Sequence, residues 1–400
     1  MNKKEKMALV PRLRFQEFLS EPAWVKDNIG KYLKESRIKG SKGDTAKKIT
    51  VKLWGNGVFE KQEILKGSEN TQYFRRKSGQ FIYSKLDFLN QAFGIIPKHL
   101  DNYESTVDLP CFDVSEQLDT RFLLEYVQRK DFYKKYGEIA DGGRKAKRIQ
   151  VETFFEFPIY LPKLSEQQKI ADCLSSLDDL IRAENEKLLA LKDQKKGLMQ
   201  KLFPAESETV PKWRFPEFKN CEEWEEQTLK TISDMQAGKF INASEIYKEL
   251  KNKMYPCYGG NGLRGYTKTL THSGKYSLIG RQGALCGNIN YVTGDFYATE
   301  HAVVVTARDK IVVRWLYYLL INLNLNQYAT GQAQPGLSVQ VIEKITVWVP
   351  RDPDEQQKIA DCLSTLDELI TAQAEKIEAL KQHKKALIQG LFPSAQEVIE

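Results

Sequence analysis

The residues best suited to chemistry are basic and polar groups set among glycines. Arg281-Gln282 stands between Gly280 and Gly283, and Asn261 and Arg264 lie in a second glycine-punctuated stretch that contains Gly259, Gly260, Gly262 and Gly265. Arginine pairs bidentately with the O6/N7 edge of guanine, which makes Arg281 the best single candidate for contact with a base edge; the alternative is a structural salt bridge. Gln332 and Gln334 follow Gly331 and carry the amide that can pair with adenine, or else they fill a loop. Lys239 completes this set. Earlier in the chain, Arg75-Arg76-Lys77 precedes Ser78-Gly79, Lys85 follows Tyr83-Ser84, and Arg144-Lys145-Ala-Lys147-Arg148 follows Gly142-Gly143. Basic loops of this kind suit phosphate contacts, although a charge run is also an ordinary solvated surface.

Bond-making constellations are not found. Gly274-Lys275 lacks the first glycine of a phosphate-binding loop and is followed by Tyr276. No Asn-Pro-Pro-Tyr or Asp-Pro-Pro-Tyr tetrad is present, and four histidines without HExxH offer no metal cluster. Pro353-Asp354 reads as a helix start rather than as a nuclease carboxylate. Asp178-Asp179 and Asp367-Glu368 read as solvated helix faces, and Glu300-His301 as a pair at the start of a strand in preference to a catalytic dyad. The expectation is a chain that performs no bond chemistry alone.

The elements that must position these groups come in two copies. Residues 166–204 and 355–393 align without a gap at an offset of 189, with 27 of 39 positions identical. Each copy carries apolar residues at steps of four and three: Ile170, Leu174, Leu177, Ile181, Leu188 and Leu191 in the first, Ile359, Leu363, Leu366, Ile370, Ile377 and Leu380 in the second. That spacing is a coiled-coil seam rather than the wider stripe of a helix lying on a globular core. Polar residues interrupt it at equivalent places, Glu184 with Gln373 and Lys195 with Lys384, which reads as control of register. Ser165-Glu-Gln-Gln168 and Asp354-Glu-Gln-Gln357 read as capping boxes, and Pro204 and Pro393 as stops. At 1.5 Å per residue each helix spans about 57 Å, and two such polar helices are expected to bury their seams against each other, antiparallel.

An opening motif also recurs. Val10-Pro-Arg-Leu-Arg-Phe-Gln-Glu-Phe18 returns as Val210-Pro-Lys-Trp-Arg-Phe-Pro-Glu-Phe218, and Trp24 returns as Trp224, here at an offset of 200. Between motif and helix lie two blocks that align only at their ends. In the first, residues 49–53, 81–84 and 154–161 read as strands and 120–136 as one helix. In the second, 276–279, 289–292, 301–306 and 346–350 read as strands and 312–323 as a helix. The fold expectation is α+β: two globular α/β domains separated by an antiparallel pair of long coiled-coil helices in a pseudo-twofold repeat. The segments are 1–162, 163–204, 205–350 and 351–400.

Composition narrows the partner. Residues 1–160 hold 30 Lys and Arg against 22 Asp and Glu, a net of +8 within a chain of net +7. A basic first half points to a polyanion. Six scattered cysteines without CxxC read as free thiols. The most apolar run, 311–325, contains Arg314 and is too short to span a bilayer, so the expectation is a cytoplasmic protein without membrane contact.

Taken together the chain resembles the specificity (HsdS) subunit of type I restriction-modification enzymes. The resemblance is carried by Leu161-Pro-Lys-Leu-Ser-Glu-Gln-Gln-Lys-Ile-Ala171 and Val349-Pro-Arg-Asp-Pro-Asp-Glu-Gln-Gln-Lys-Ile-Ala360, with Tyr258-Gly-Gly-Asn-Gly262 and Leu278-Ile-Gly-Arg-Gln-Gly283. The first block departs from that glycine-rich pattern. The resemblance implies two target recognition domains, each reading one half of an asymmetric double-stranded DNA site. It further implies helices that set the spacing and dock two methyltransferase (HsdM) subunits, with restriction (HsdR) subunits joining that core. S-adenosylmethionine, ATP and Mg would then belong to those partners, with no cofactor in this chain. A specificity subunit of another methyltransferase-nuclease architecture, or a coiled-coil scaffold that binds no DNA, are the competing readings. Salt-dependent affinity for duplex DNA separates the scaffold from the others.

Overall fold

The computed structural model describes residues 9–62, 67–138, 148–205, 208–283, 285–331 and 335–393. Each repeated segment is one helix of 39 residues, Leu164–Leu202 and Pro353–Leu391. The chain divides into two compact units, Met1–Ala183 with Lys376–Glu400, and Glu184–Glu375. Each long helix is therefore shared between units, whereas the four-segment expectation set the helices apart from the blocks. The reason lies at the helix ends. Ile170 and Leu174 join Leu391 and Phe392 in the core of the first unit, around Trp24 and Phe122. Ile359 and Leu363 join Leu202 and Phe203 in the second, around Trp224 and Trp315. Only the middle heptads are left as a seam.

Within each unit the helix segments run antiparallel. In the first, Trp24 touches both Glu166 and Phe392, while Lys384 bonds Asp178. In the second, Trp224 touches both Glu355 and Phe203, and Lys195 bonds Asp367 at 2.5 Å. The expected capping boxes are corrected. The first helix already begins at Leu164, and Glu166 N and Gln167 N donate to Lys163 O, so Ser165 lies inside the first turn. In the second, the cap is Asp352, whose carboxylate accepts from Asp354 N at 2.9 Å.

The first unit opens with Val25–Asn28, antiparallel to Pro158–Leu161. A four-stranded antiparallel sheet follows in the order Leu33–Glu35, Cys111–Val114, Phe81–Tyr83, Phe93–Ile95. Its inner face is aromatic: Phe81, Tyr83, Phe88, Phe93, Phe112 and Phe154 are 0–1% exposed and in mutual ring contact. This explains why 154–161 is not one strand. Phe154 and Phe157 both face the core, and a spacing of three puts side chains on opposite faces of a strand but on one face of a helix. Residues Val151–Phe155 are accordingly helical, and the strand starts at Pro158. The expected helix over 120–136 is two, Thr120–Val127 and Lys130–Gly137. Arg129 between them is extended, with its guanidinium over the Tyr126 and Phe392 rings and bonded to Pro393 O. A second sheet of Ile38–Lys42, Gln72–Arg75 and Glu104–Ser105, and a hairpin of Ile49–Val51 and Val58–Glu60, complete this unit.

The second unit repeats the frame and replaces the filling. Glu225–Thr228 pairs with Thr346–Val349 as its counterpart does. The sheet has six strands in the order Ser233–Ala237, Ala302–Ala307, His272–Gly280, Ile289–Ala298, Tyr255–Gly259, Gly262–Thr267. The helix Val313–Asn322 buries Trp315, Leu316, Tyr318, Leu319 and Leu320 in the core around it. The strands expected at 276–279 and 289–292 are parts of the longer strands His272–Gly280 and Ile289–Ala298.

Candidate nucleic-acid interface

In the second unit the glycine-rich segments converge. The turn after Tyr255–Gly259 lies on the end of His272–Gly280 so closely that a Cβ on Gly280 would stand 2.0 Å from Gly260 O. Glycine is required there because backbone meets backbone. From this point Arg281–Gly283 is held by its main chain: Arg281 N donates to His301 O at 3.1 Å, Leu337 N donates to Arg281 O at 2.9 Å, and Gly283 N donates to Pro335 O at 3.0 Å.

The Arg281 side chain has no hydrogen bond or ion pair among the described residues, and its Nε is buried. A buried donor without an acceptor costs about 1–3 kcal/mol. Three main-chain hydrogen bonds thus hold an arginine whose side chain has no partner among the described residues. The salt-bridge alternative finds no partner there.

The other expected residues gather around the same point. Asn261 is exposed in the turn, Gln282 is exposed and bridges to Gly336, and Arg264 is exposed with its Cδ against Gly259. Lys239 is exposed, its N donating to Ala298 O at 2.9 Å. Beside it, His272 stacks on Phe296, and burial first, then the charge of Lys239, lower its pKa. Gln332 and Gln334 lie outside the described residues.

Thr299 was not singled out, and Glu300 and His301 were read only as a pair at the start of a strand. Thr299 is wholly buried with Oγ1 unpartnered among the described residues. Glu300 Oε2 is likewise unpartnered, and Glu300 Oε1 lies 3.2 Å from His301 Nε2. Glu300-His301 is not a strand start; it belongs to the loop before Ala302–Ala307. The only sequence signal was their position between two apolar strands.

In the first unit the basic run divides. Arg75 and Lys77 are exposed, Arg75 on the strand Gln72–Arg75. Arg76 is 2% exposed and bonds Ser105 Oγ at 2.7 Å, Ser36 O at 2.7 Å, Leu109 O at 3.2 Å and Thr106 O at 3.3 Å. The reading of Arg76 as a DNA contact is therefore corrected: it staples strands and loops, and burial lowers its pKa from the ordinary arginine value. Lys85 is half-buried, and its backbone bonds Asp108 O and Ile149 N. Arg148 approaches Asp108 at 3.6 Å. Lys85 and Arg148 thus flank one loop. Arg144, Lys145 and Lys147 lie outside the described residues.

On the helices the expected seam residues are buried or half-buried, with Ile170, Leu174, Ile359, Leu363, Leu366 and Ile377 at 8% exposure or less. Asp178 and Asp367 are corrected from solvated residues to seam partners. Lys384 bonds Asp178 at 2.7 Å and Glu125 at 3.0 Å, while Asp367 takes Lys195 and the Tyr318 hydroxyl at 2.6 Å.

The Glu-Gln-Gln motif does something sequence reading missed. Glu166 receives a fork from Arg14 at 2.8 and 2.7 Å and the indole of Trp24 at 3.4 Å. Glu355 receives Arg214 at 2.7 and 2.7 Å and Trp224 at 3.2 Å. Gln167 and Gln356 latch the preceding strand through Pro162 O and Pro350 O, each at 3.0 Å. The joint recurrence of Arg14, Trp24 and Glu166 was the available signal.

A family model described as the type I restriction modification DNA specificity domain matches residues 29–193 and again 221–382. The chain is similar to the type I restriction enzyme EcoprrI specificity subunit of Escherichia coli, 45% identical over 154 residues, 38% of each chain. It is similar also to the type I restriction enzyme MjaVIII specificity subunit of Methanocaldococcus jannaschii, 26% identical over 273 residues, 61% of this chain and 63% of that one. The matched stretch is thus less than two thirds of either relative's length. Among solved structures, the S subunit of a type I restriction-modification system from M. genitalium shares the fold at a TM-score of 0.65 and 17% identity, covering 96% of this chain and 100% of that one. A chain from a structure on complex assembly and conformational transition of the type I R-M system aligns at a TM-score of 0.54 and 16% identity, covering 93% and 98%.

Proposed function

The chain belongs to the type I restriction modification DNA specificity family, and from that premise we propose that it is the sequence-reading subunit of a modification and restriction complex. Each unit reads one half of a split, asymmetric site in double-stranded DNA. The helices set the number of base pairs between the halves and dock two methyltransferase subunits, which restriction subunits join. The chain itself is non-catalytic and acts in the cytoplasm. S-adenosylmethionine, ATP and Mg belong to its partners.

The observation that carries the reading is Arg281: a guanidinium on a loop held by main-chain hydrogen bonds, with no acceptor among the described residues. The terminal N–H groups of a half-buried guanidinium so held are left for an acceptor edge from outside the chain, and guanine O6/N7 is the commonest such edge. Exposed Asn261, Arg264, Gln282 and Lys239 around it supply further base-edge and phosphate contacts. The unlike sheets of the two units support unlike half-sites.

Base-resolution methylation mapping of cells carrying Arg281→Ala tests this. One half-site should relax at one position while the other half-site stays intact. Unchanged specificity at both halves removes the assignment. No helix among the described residues is long and apolar enough to cross a membrane.

A further inference from the structure

The two units share one joint and fill it differently. The helices Thr120–Val127 and Val313–Asn322 occupy equivalent places: Gln167 receives Asp119 N as Gln356 receives Val312 N, and Phe122 meets Trp24 and Phe392 as Trp315 meets Trp224 and Phe203. On that register Leu319 stands for Tyr126, Asn322 for Arg129 and Pro204 for Pro393. In the first unit the Arg129 guanidinium lies 4.2 Å from the Tyr126 ring centre and 4.8 Å from that of Phe392, and it donates to Pro393 O at 3.3 Å. A cation is thus part of that joint.

In the second unit the helix runs on through Asn322, and a cavity of about 490 Å³ is bounded by Phe203, Pro204, Leu319 and Asn322, the counterparts of the groups at that joint. Phe203 and Leu319 are covered by the chain itself, at 1% and 4% exposure, so the other walls decide what fits. These include half-buried Tyr328 and Trp348 and the carboxylates of Glu208 and Glu226. Glu208 Oε2 is buried without a hydrogen-bond partner among the described residues, and Glu208 Oε1 lies 3.9 Å from Lys212. Glu226 is exposed, has no ion pair among the described residues, and stands opposite Trp348 in its strand pair. The equivalent residue of the first unit, opposite Tyr160, is Lys26. The sign of charge at this position therefore reverses between the unit that supplies its own guanidinium and the unit that carries Asn322 instead.

We infer that this cavity of the second unit binds a guanidinium group brought from outside the chain, in the place that Arg129 takes in the first. Its size is that of a small-molecule site, for which about 300–1,000 Å³ is usual. Two carboxylates supply the charge, and a planar guanidinium matches a carboxylate with paired hydrogen bonds while its face stacks on an aromatic ring. An ammonium group meets the charge but not the planar match. A phosphate is repelled by Glu208 and Glu226, so the site is separate from the reading of DNA and does not rest on it. A free guanidino compound and an arginine side chain of another protein share this chemistry.

Calorimetric titration of the full chain tests this with agmatine, with a capped Gly-Arg-Gly peptide and with its Gly-Lys-Gly counterpart. A guanidinium probe should bind at least about tenfold more tightly than the lysine peptide. Binding of agmatine alone assigns the site to a free small molecule, and binding of the arginine peptide assigns it to a side chain of another protein. Asn322→Arg places a guanidinium on the cavity's own wall, so it should abolish binding and raise the melting temperature. Glu208→Gln with Glu226→Gln should weaken binding about tenfold without relying on the fold of the arginine variant. Equal binding of the lysine peptide, no binding of either guanidinium probe, or undiminished binding in either variant overturns the proposal.

Discussion

Gln373 donates through its side-chain amide to both oxygens that Glu184 presents, the carboxylate at 2.6 Å and the main-chain carbonyl at 3.0 Å. The two residues occupy the same position in the two copies, 189 apart, and both are buried. A residue of one repeat thus meets its own equivalent, and because the two differ, one donates and the other accepts. Gln373→Ala should cost about 1–3 kcal/mol in denaturant unfolding, as Glu184 loses a buried donor to its carboxylate and its carbonyl. Replacing both by Leu should restore or exceed the original stability while broadening the association states seen in sedimentation. A single sharp species in the double variant would deny these residues a role in register.

Lys384 and Lys195 are equivalent but not equally placed. Lys384 serves both Asp178 and buried Glu125, whereas Asp367 retains the Tyr318 hydroxyl when Lys195 is lost. Lys384→Met should cost about 3 kcal/mol and Lys195→Met about 1 kcal/mol. Equal losses in chemical denaturation would contradict the difference in their partners.

Glu125 links stability to pH. Burial raises its pKa above the ordinary glutamate value, and Lys384 only partly offsets this. The folded state therefore holds the proton at pH values where the unfolded chain has released it. This stabilisation is full below the ordinary glutamate pKa and is lost as pH rises through the raised folded value. Glu125→Gln has no such loss. Its stability relative to the parent should therefore climb across that window in urea titrations at stepped pH; a flat difference would argue against the raised pKa.

Arg75 and Arg76 are neighbours with opposite fates. Arg76→Ala removes four hydrogen bonds from the interior and should destabilise the first unit by about 3 kcal/mol. Arg75→Ala should leave stability unchanged and lower the salt dependence of DNA affinity by about one ion. Thermal melts and binding isotherms at several salt concentrations distinguish the two.

The spacer offers a geometric prediction. Inserting or deleting whole heptads in either long helix should change the number of base pairs between the half-sites, read by methylation mapping. An unaltered spacer would remove the helices from that role.

What the sequence determined by itself is periodic and local. Steps of four and three across residues 170–191 and 359–380 announced the helices, because each turn of a helix reports its own buried face. The recurrence of Trp24 as Trp224 marked the repeated frame. The tertiary structure decided which partner each polar group finds. Arg76 looks like Arg75 along the chain, and only folding brings Ser36, Ser105, Thr106 and Leu109, roughly 30 to 40 residues away, around its guanidinium. Asp178 looks like a surface acid until Lys384 arrives 206 positions later. Phe154 and Phe157 read as a strand until the aromatic core requires both on one side. The physical reason is range. Backbone periodicity is set by neighbours within a few residues, whereas the burial and pairing of a charge depend on groups that are adjacent only once the chain has closed on itself.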